Sequence, residues 1–196
     1  ESPPLDDATI LESARKDCLS GAYYLVDFRG QPDYEPGVNV VNVFCMGALA
    51  TEALEASDAL REQGVYANVI AVSSPDLALG ILAAGDDFRH LRNGLGLDAD
   101  LHLAPMERVD DRAELVTLAG RRVPVVSVHD GEAGLLDNIG SILGFRQEAL
   151  AVRRFSKCGR PDQVYRYQNI DADSVVEAVG KALAETAMEE VTVSRS

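Results

Sequence analysis

The chain is short of most features that announce a function directly. Its three cysteines, Cys18, Cys45 and Cys158, lie far apart, without the CxxC spacing that a zinc site or a redox pair requires. They read as reduced thiols of a cytoplasmic protein. Basic residues are scarce: Lys and Arg number 18 against 32 Asp and Glu, a formal net charge of −14 with a pI near 4.5. A broad phosphate-binding surface would need those few cations to be segregated, so nucleic acid and anionic membranes are poor partners. There is no run of about 18 apolar residues and no basic segment leading into an apolar one, hence no visible membrane span or signal peptide. No lysine follows a glycine-rich loop, which excludes P-loop chemistry. The initiator methionine is also missing, which is compatible with processing or tag removal and is also what a piece of a longer polypeptide would show.

What is present describes a folded unit. Of the 196 residues, 46% are hydrophobic and 26% charged, enough apolar material for a sizeable core and a length that suits one domain. Residues 1–20 suggest a helical lead-in and residues 21–196 one α/β domain. Residues 23–28 (YYLVDF) are aromatic and branched enough for an edge strand. Residues 38–45 (VNVVNVFC) make a valine-rich run of the length expected for a strand buried on both faces. The Met46-Gly47 turn leads to a helix over 48–63, with Leu49, Ala53, Ala56 and Leu60 on one stripe and Gly64 at its end. Residues 66–73 (YANVIAVS) complete a βαβ unit. Ser74-Pro75 then starts a helix covering 77–84.

An irregular excursion fills 85–122. Residues 123–129 (VPVVSVH) form the next strand, ended by Asp130-Gly131, followed by a helix at 135–143 closed by Gly144. A last strand at 149–155, a short helix at 161–167 and a long one at 173–188 finish the chain. Ser174 and Glu177 offer that helix a capping box, and Val175, Val176, Val179, Ala182 and Leu183 its inward stripe. The alternation predicts a three-layer α/β/α domain with a mostly parallel sheet of five strands and an antiparallel edge strand.

In such a sheet ligands collect at the carboxyl ends of the strands. The turns to weigh are those at Gly47, at Ser74 and at His129, Asp130 and Glu132. Gly47 would let a phosphate approach a helix N-terminus, but one glycine falls short of GxGxxG, so a plain turn is expected. His129, Asp130 and Glu132 are the densest titratable cluster, suited to acid, base or metal-ligand work. The plainer reading is a polar strand-to-helix loop, because His90 and His102 show no ligand spacing with it. Gly140-Ser141-Ile142-Leu143-Gly144 lacks the spacing of a nucleophile elbow. Cys45 sits before a helix, where a thiolate is favoured, yet a small apolar filler is expected. Arg153, Arg154, Lys157 and Arg160, interleaved with Phe155, Tyr165, Arg166 and Tyr167, are the one basic concentration. They serve either an anion or acidic partner surface, or as counter-charge in an acidic protein; Arg154, Phe155, Arg160, Tyr165 and Tyr167 are the interface candidates.

Several stretches together resemble a known family. Residues 123–132 (VPVVSVHDGE) and 154–177 (RFSKCGRPDQVYRYQNIDADSVVE), with 43–48 (VFCMGA) and 69–75 (VIAVSSP), resemble the C-terminal domain of transketolase-like thiamine diphosphate enzymes. The nearest likeness is to the homodimeric pyruvate dehydrogenase E1 component, and the similarity runs over about 23–183. The resemblance implies a five-stranded mixed sheet whose first strand is antiparallel. It also implies a parent enzyme that decarboxylates pyruvate and passes the two-carbon unit to a lipoyl group on E2, with Mg²⁺ anchoring the cofactor diphosphate. The family carries its cofactor on a G-D-G followed by N-N, and its catalytic Glu, in other domains. Neither Gly-Asp-Gly nor Asn-Asn occurs here. No catalytic, cofactor or metal residue carries over, and the chain is expected to pack on the parent's other domains and to help build its dimer. The alternative is an independent flavodoxin-like protein binding a small ligand near Gly47, Ser74 and His129.

Overall fold

In the computed structural model of the chain, residues 21–75, 123–143 and 145–193 are described. The expected helices over 1–20 and 77–84, the excursion at 85–122 and the Gly144 stop lie outside them. Five strands are seen: β1 (Ala22–Val26), β2 (Val40–Cys45), β3 (Tyr66–Val72), β4 (Val125–Glu132) and β5 (Gln147–Val152). Their order in the sheet is β1-β3-β2-β4-β5. β1 runs antiparallel to β3 at one edge, and every other pairing is parallel. The mixed, mostly parallel sheet and its antiparallel first strand are as the sequence predicts.

All six residues of β2 are buried, because β2 lies mid-sheet with both faces covered. Its odd-numbered residues Val41, Val43 and Cys45 join Ala67, Val69, Val126 and Val128 on one face. Helices α1 (Ala50–Glu62) and α4 (Ala172–Val193) pack there, through Ala53, Ala56 and Leu60 and through Val175, Ala178, Val179 and Ala182. On the other face Phe44 meets Ile70, Val72, Val125, Leu136, Ile139 and Phe145. Each fully buried aliphatic or aromatic side chain of β2 contributes about 1.5–3 kcal/mol. That face also carries Asn42 and Asn68, both buried. Asn68 Nδ2 donates to Asn42 Oδ1 (3.0 Å) and to Tyr34 Oη (2.9 Å), while Asn68 Oδ1 accepts from Phe28 N–H (2.9 Å). The pair thereby ties the β1–β2 connection over the sheet.

Helix α1 is entered through one 3₁₀ turn, Gly47–Leu49. It ends where Gly64, at φ +78°, donates to Arg61 O, and Val65 N–H donates to Leu60 O (both 3.0 Å). That paired pattern is a Schellman cap.

Several boundaries differ from expectation: β1 ends at Val26 and β2 begins only at Val40, and four further differences bear on the ends of the sheet and the later helices. β4 continues through Asp130 and Gly131 to Glu132, its partner register shifting between Val128 and Glu132, so the polar residues belong to an irregular strand end. The helix expected over 135–143 shrinks to α2 (Ile139–Leu143). β5 starts at Gln147 and stops at Val152, leaving Arg153 to Phe155 outside the sheet. α3 (Pro161–Gln168) starts on its proline as expected, but α4 is capped by Asp171 and not by a Ser174–Glu177 box. Asp171 Oδ1 accepts from the Ser174 backbone N–H (3.3 Å) and hydroxyl. The helix therefore starts one residue early, at Ala172, whose N–H donates to Glu52 Oε2 of α1 (2.8 Å).

Two glycines test this packing in opposite directions. A methyl at Gly140 would stand 2.6 Å from Gln147 Cβ and 2.7 Å from the Phe145 carbonyl oxygen, whereas Gly180 in α4 faces open space. Gly140→Ala is expected to lower urea-unfolding stability by about 1–3 kcal/mol, and Gly180→Ala to raise it by about 0.5–1 kcal/mol.

Candidate functional site

Strand order fixes where the carboxyl-end crevice lies. From β2 the chain moves through α1 to β3 on one side, and from β4 through α2 to β5 on the other, so the direction reverses between β2 and β4. Their carboxyl ends carry Gly47 and Asp130, and Met46 N–H donates to Val128 O (3.2 Å) between them. Gly47 takes φ +64°, and a Cβ there would lie 3.6 Å from Asp130 Oδ1. The exposed Asp130 carboxylate thus lies beside the turn that leads into α1. A phosphate brought to the same place would be repelled by it.

His129 and Asp130 are neighbours in sequence but point to opposite faces of β4. His129 is wholly buried, while Asp130 and Glu132 are exposed. The three do not converge as a catalytic cluster. His129 Nδ1 accepts from Gly131 N–H (3.2 Å), which leaves the neutral ring its proton on Nε2. Nε2 is buried without a hydrogen-bond partner among the described residues. Burial holds the imidazole below its usual pKa, against the opposing fields of Asp137 and Asp130 and with a smaller push in the same direction from Arg153. A neutral ring with Nδ1 already engaged presents a donor and no free lone pair. Among the described residues no group of three or more His, Cys, Asp or Glu could hold a metal ion.

Ser74 stands at the end of β3, where its N–H and that of Ser73 both donate to Gly21 O (3.0 and 2.9 Å). Cys45 is buried and its thiol is pushed up to about 12 by desolvation, so it fills space as a neutral group.

The basic segment is organised by a residue that the sequence did not single out. Gln168, buried at the end of α3, accepts from Arg154 N–H (3.3 Å) and donates to Arg154 O (3.0 Å), gripping the backbone as a neighbouring strand would. Arg154 also donates to Tyr167 O (3.2 Å), and its guanidinium and the Lys157 ammonium lie over the Tyr167 ring at 5.8 and 4.1 Å. Arg160 pairs with Asp162 (3.2 Å). Tyr165 packs against the apolar core instead of the surface. Phe155 is 96% exposed. No local pattern in the sequence marks a glutamine as a clamp, since its partner lies 14 positions away.

No protein-family profile matches the chain, and no curated protein matches it. Among solved structures it is similar to a mutant transketolase of Pichia stipitis in complex with xylulose 5-phosphate, with TM-score 0.55 and 15% identity over 86% of this chain and 18% of that one. A Pichia stipitis transketolase complexed with sedoheptulose 7-phosphate gives 0.53 and 16% over 93% and 20%. The transketolase of Leishmania mexicana gives 0.53 and 15% over 90% and 19%. The fold is transketolase-like. The chain spans about a fifth of the length of these enzymes.

The buried, neutral His129 makes stability depend on pH. Its folded pKa lies below the unfolded value of about 6.5, so the unfolded chain binds the proton first. The histidine's contribution is therefore complete above that value and is lost as pH falls below it towards the folded pKa. Urea midpoints measured from pH 7.5 to 5 are expected to fall more steeply for the native chain than for His129→Gln, whose amide still accepts from Gly131 N–H. Equal slopes would show that His129 binds its proton as readily in the folded chain as in the unfolded one.

Proposed function

We propose that the chain is the C-terminal domain of a thiamine diphosphate-dependent transketolase-like enzyme, with pyruvate dehydrogenase E1 as its specific form. Residues 21–196 form the domain and 1–20 its helical lead-in. The observation that carries this reading is the five-stranded sheet with its single antiparallel edge strand, a fold held in common with transketolases. The E1 assignment is supported by the F-S-x-x-G, V-Y-R-Y and I-D-x-D-S-V-V-E stretch, which forms one continuous unit from the Gln168-clamped segment through α3 into α4.

The parent's reaction would be oxidative decarboxylation of pyruvate with two-carbon transfer to lipoyl-E2, in a cytoplasmic homodimer. The residues present here do not fit the cofactor. The sequence has neither Gly-Asp-Gly nor Asn-Asn, and the carboxylate of Asp130 beside the Gly47 turn would repel a diphosphate brought there. The domain's own work is to pack on the parent's other domains and to support its assembly, and no chemical step runs through its residues.

Calorimetric titration of thiamine diphosphate and Mg²⁺ into the chain is expected to give no binding heat. The polypeptide encoded by the whole reading frame is expected to reduce ferricyanide in a pyruvate- and thiamine diphosphate-dependent manner. Micromolar cofactor binding by the chain alone overturns the assignment. Turnover of a sugar phosphate but not pyruvate by the whole polypeptide overturns the E1 form only.

A further inference from the structure

The ladder between β4 and β5 is interrupted near its end. Val128 stands opposite Leu150 and Glu132 opposite Val152, so His129, Asp130 and Gly131 of β4 face the single residue Ala151 of β5. An irregularity of this kind leaves backbone groups without ladder partners. Gly131 N–H donates instead to a side chain of its own strand, His129 Nδ1 (3.2 Å). The segment that follows is tied down by other means. Gln147 Nε2 donates to Leu136 O (2.7 Å), Gln147 Oε1 accepts from Gly140 N–H (2.6 Å), and Arg153 donates to Asp137 Oδ2 (3.1 Å). The backbone between Val128 and Glu132 thus rests on the lone pair of one imidazole nitrogen.

That bond exists in one protonation state only. A neutral ring with its proton on Nε2 offers a lone pair at Nδ1, whereas the imidazolium carries a proton on both nitrogens and sets one donor against another. The ring is wholly buried. A positive charge on it is opposed by burial and by Arg153 beyond β5, and favoured by Asp137 from the segment after β4 and by Asp130 from the strand itself. Ser127, Phe44, Leu136 and Phe145, the buried residues of the same sheet face around it, carry no charge. Freeing the ring into water restores its affinity for the proton, so acid favours the state in which the ring is free.

We propose that the His129–Gly131 bond is a proton-operated clasp on the end of β4. Protonation of the ring releases residues 130–132 from the sheet, while β4 stays paired up to Val128. The Asp130 carboxylate leaves the Gly47 turn with them, so the crevice between β2 and β4 changes both shape and charge with pH.

Amide hydrogen exchange of the chain, followed by NMR at pH 7.5 and 5.5 and corrected for intrinsic rates, is the test. With a freed imidazole of pKa about 6.5 and a lower value in the closed strand, the opening constants of Gly131 and Glu132 are expected to rise by about three- to tenfold between the two conditions. His129→Gln, whose amide accepts from Gly131 N–H at both, is expected to change by less than about twofold. Val43 and Val69 in mid-sheet are expected to stay at least about a hundredfold better protected than Gly131 at pH 5.5. Unchanged protection of Gly131 in the native chain, or an equal rise in His129→Gln, overturns the proposal. So does protection of Gly131 equal to that of Val43, a result read on the native chain alone, because the strand end would then open only with the whole domain.

Discussion

Burial of β2 on both faces is the constraint from which the rest of the arrangement follows. A strand whose six residues all avoid water needs helices on one side and an apolar layer on the other. Its two edges are paired in parallel by β3 and β4. Placing β2 in the middle forces the chain to leave it in one direction and return on the other. The reversal of strand order, and the crevice between Gly47 and Asp130, are consequences of that placement.

The crevice is bordered by the chain's own negative charge. A helix entry opening on a glycine at a strand end is a general anion seat, and here the Asp130 carboxylate lies beside it. His129, the one described histidine, is turned to the opposite face and held neutral by burial. The exposed chemistry lies instead beyond β5, where a basic, aromatic segment is held by Gln168 over an otherwise acidic molecule.

Legibility in the sequence followed physical locality. The strands at 38–45 and 66–73, the α1 stripe, its Gly64 cap and the edge position of β1 were all readable, since each depends on periodicity or on one residue's backbone freedom. Asp171 was hidden as the cap of α4 because a second candidate, Ser174, stands three residues on and turned out to be its hydrogen-bond partner. The continuation of β4 through Asp130-Gly131 was hidden for a related reason. Polar residues there look like a loop, while pairing of Glu132 with Val152 across the register shift keeps them in the sheet. The buried Asn42–Asn68 pair and the Gln168 clamp join residues 26 and 14 positions apart, and no single window contains their logic.

The central claim is that this α/β unit serves as one domain of a much larger thiamine diphosphate enzyme. The most direct measurement is the mass of the native polypeptide recognised by an antibody raised against this chain, with its bound cofactor determined in the same material. The account predicts a polypeptide several times heavier than 21.0 kDa that carries thiamine diphosphate. A native species of that mass alone, free of the cofactor, would contradict it.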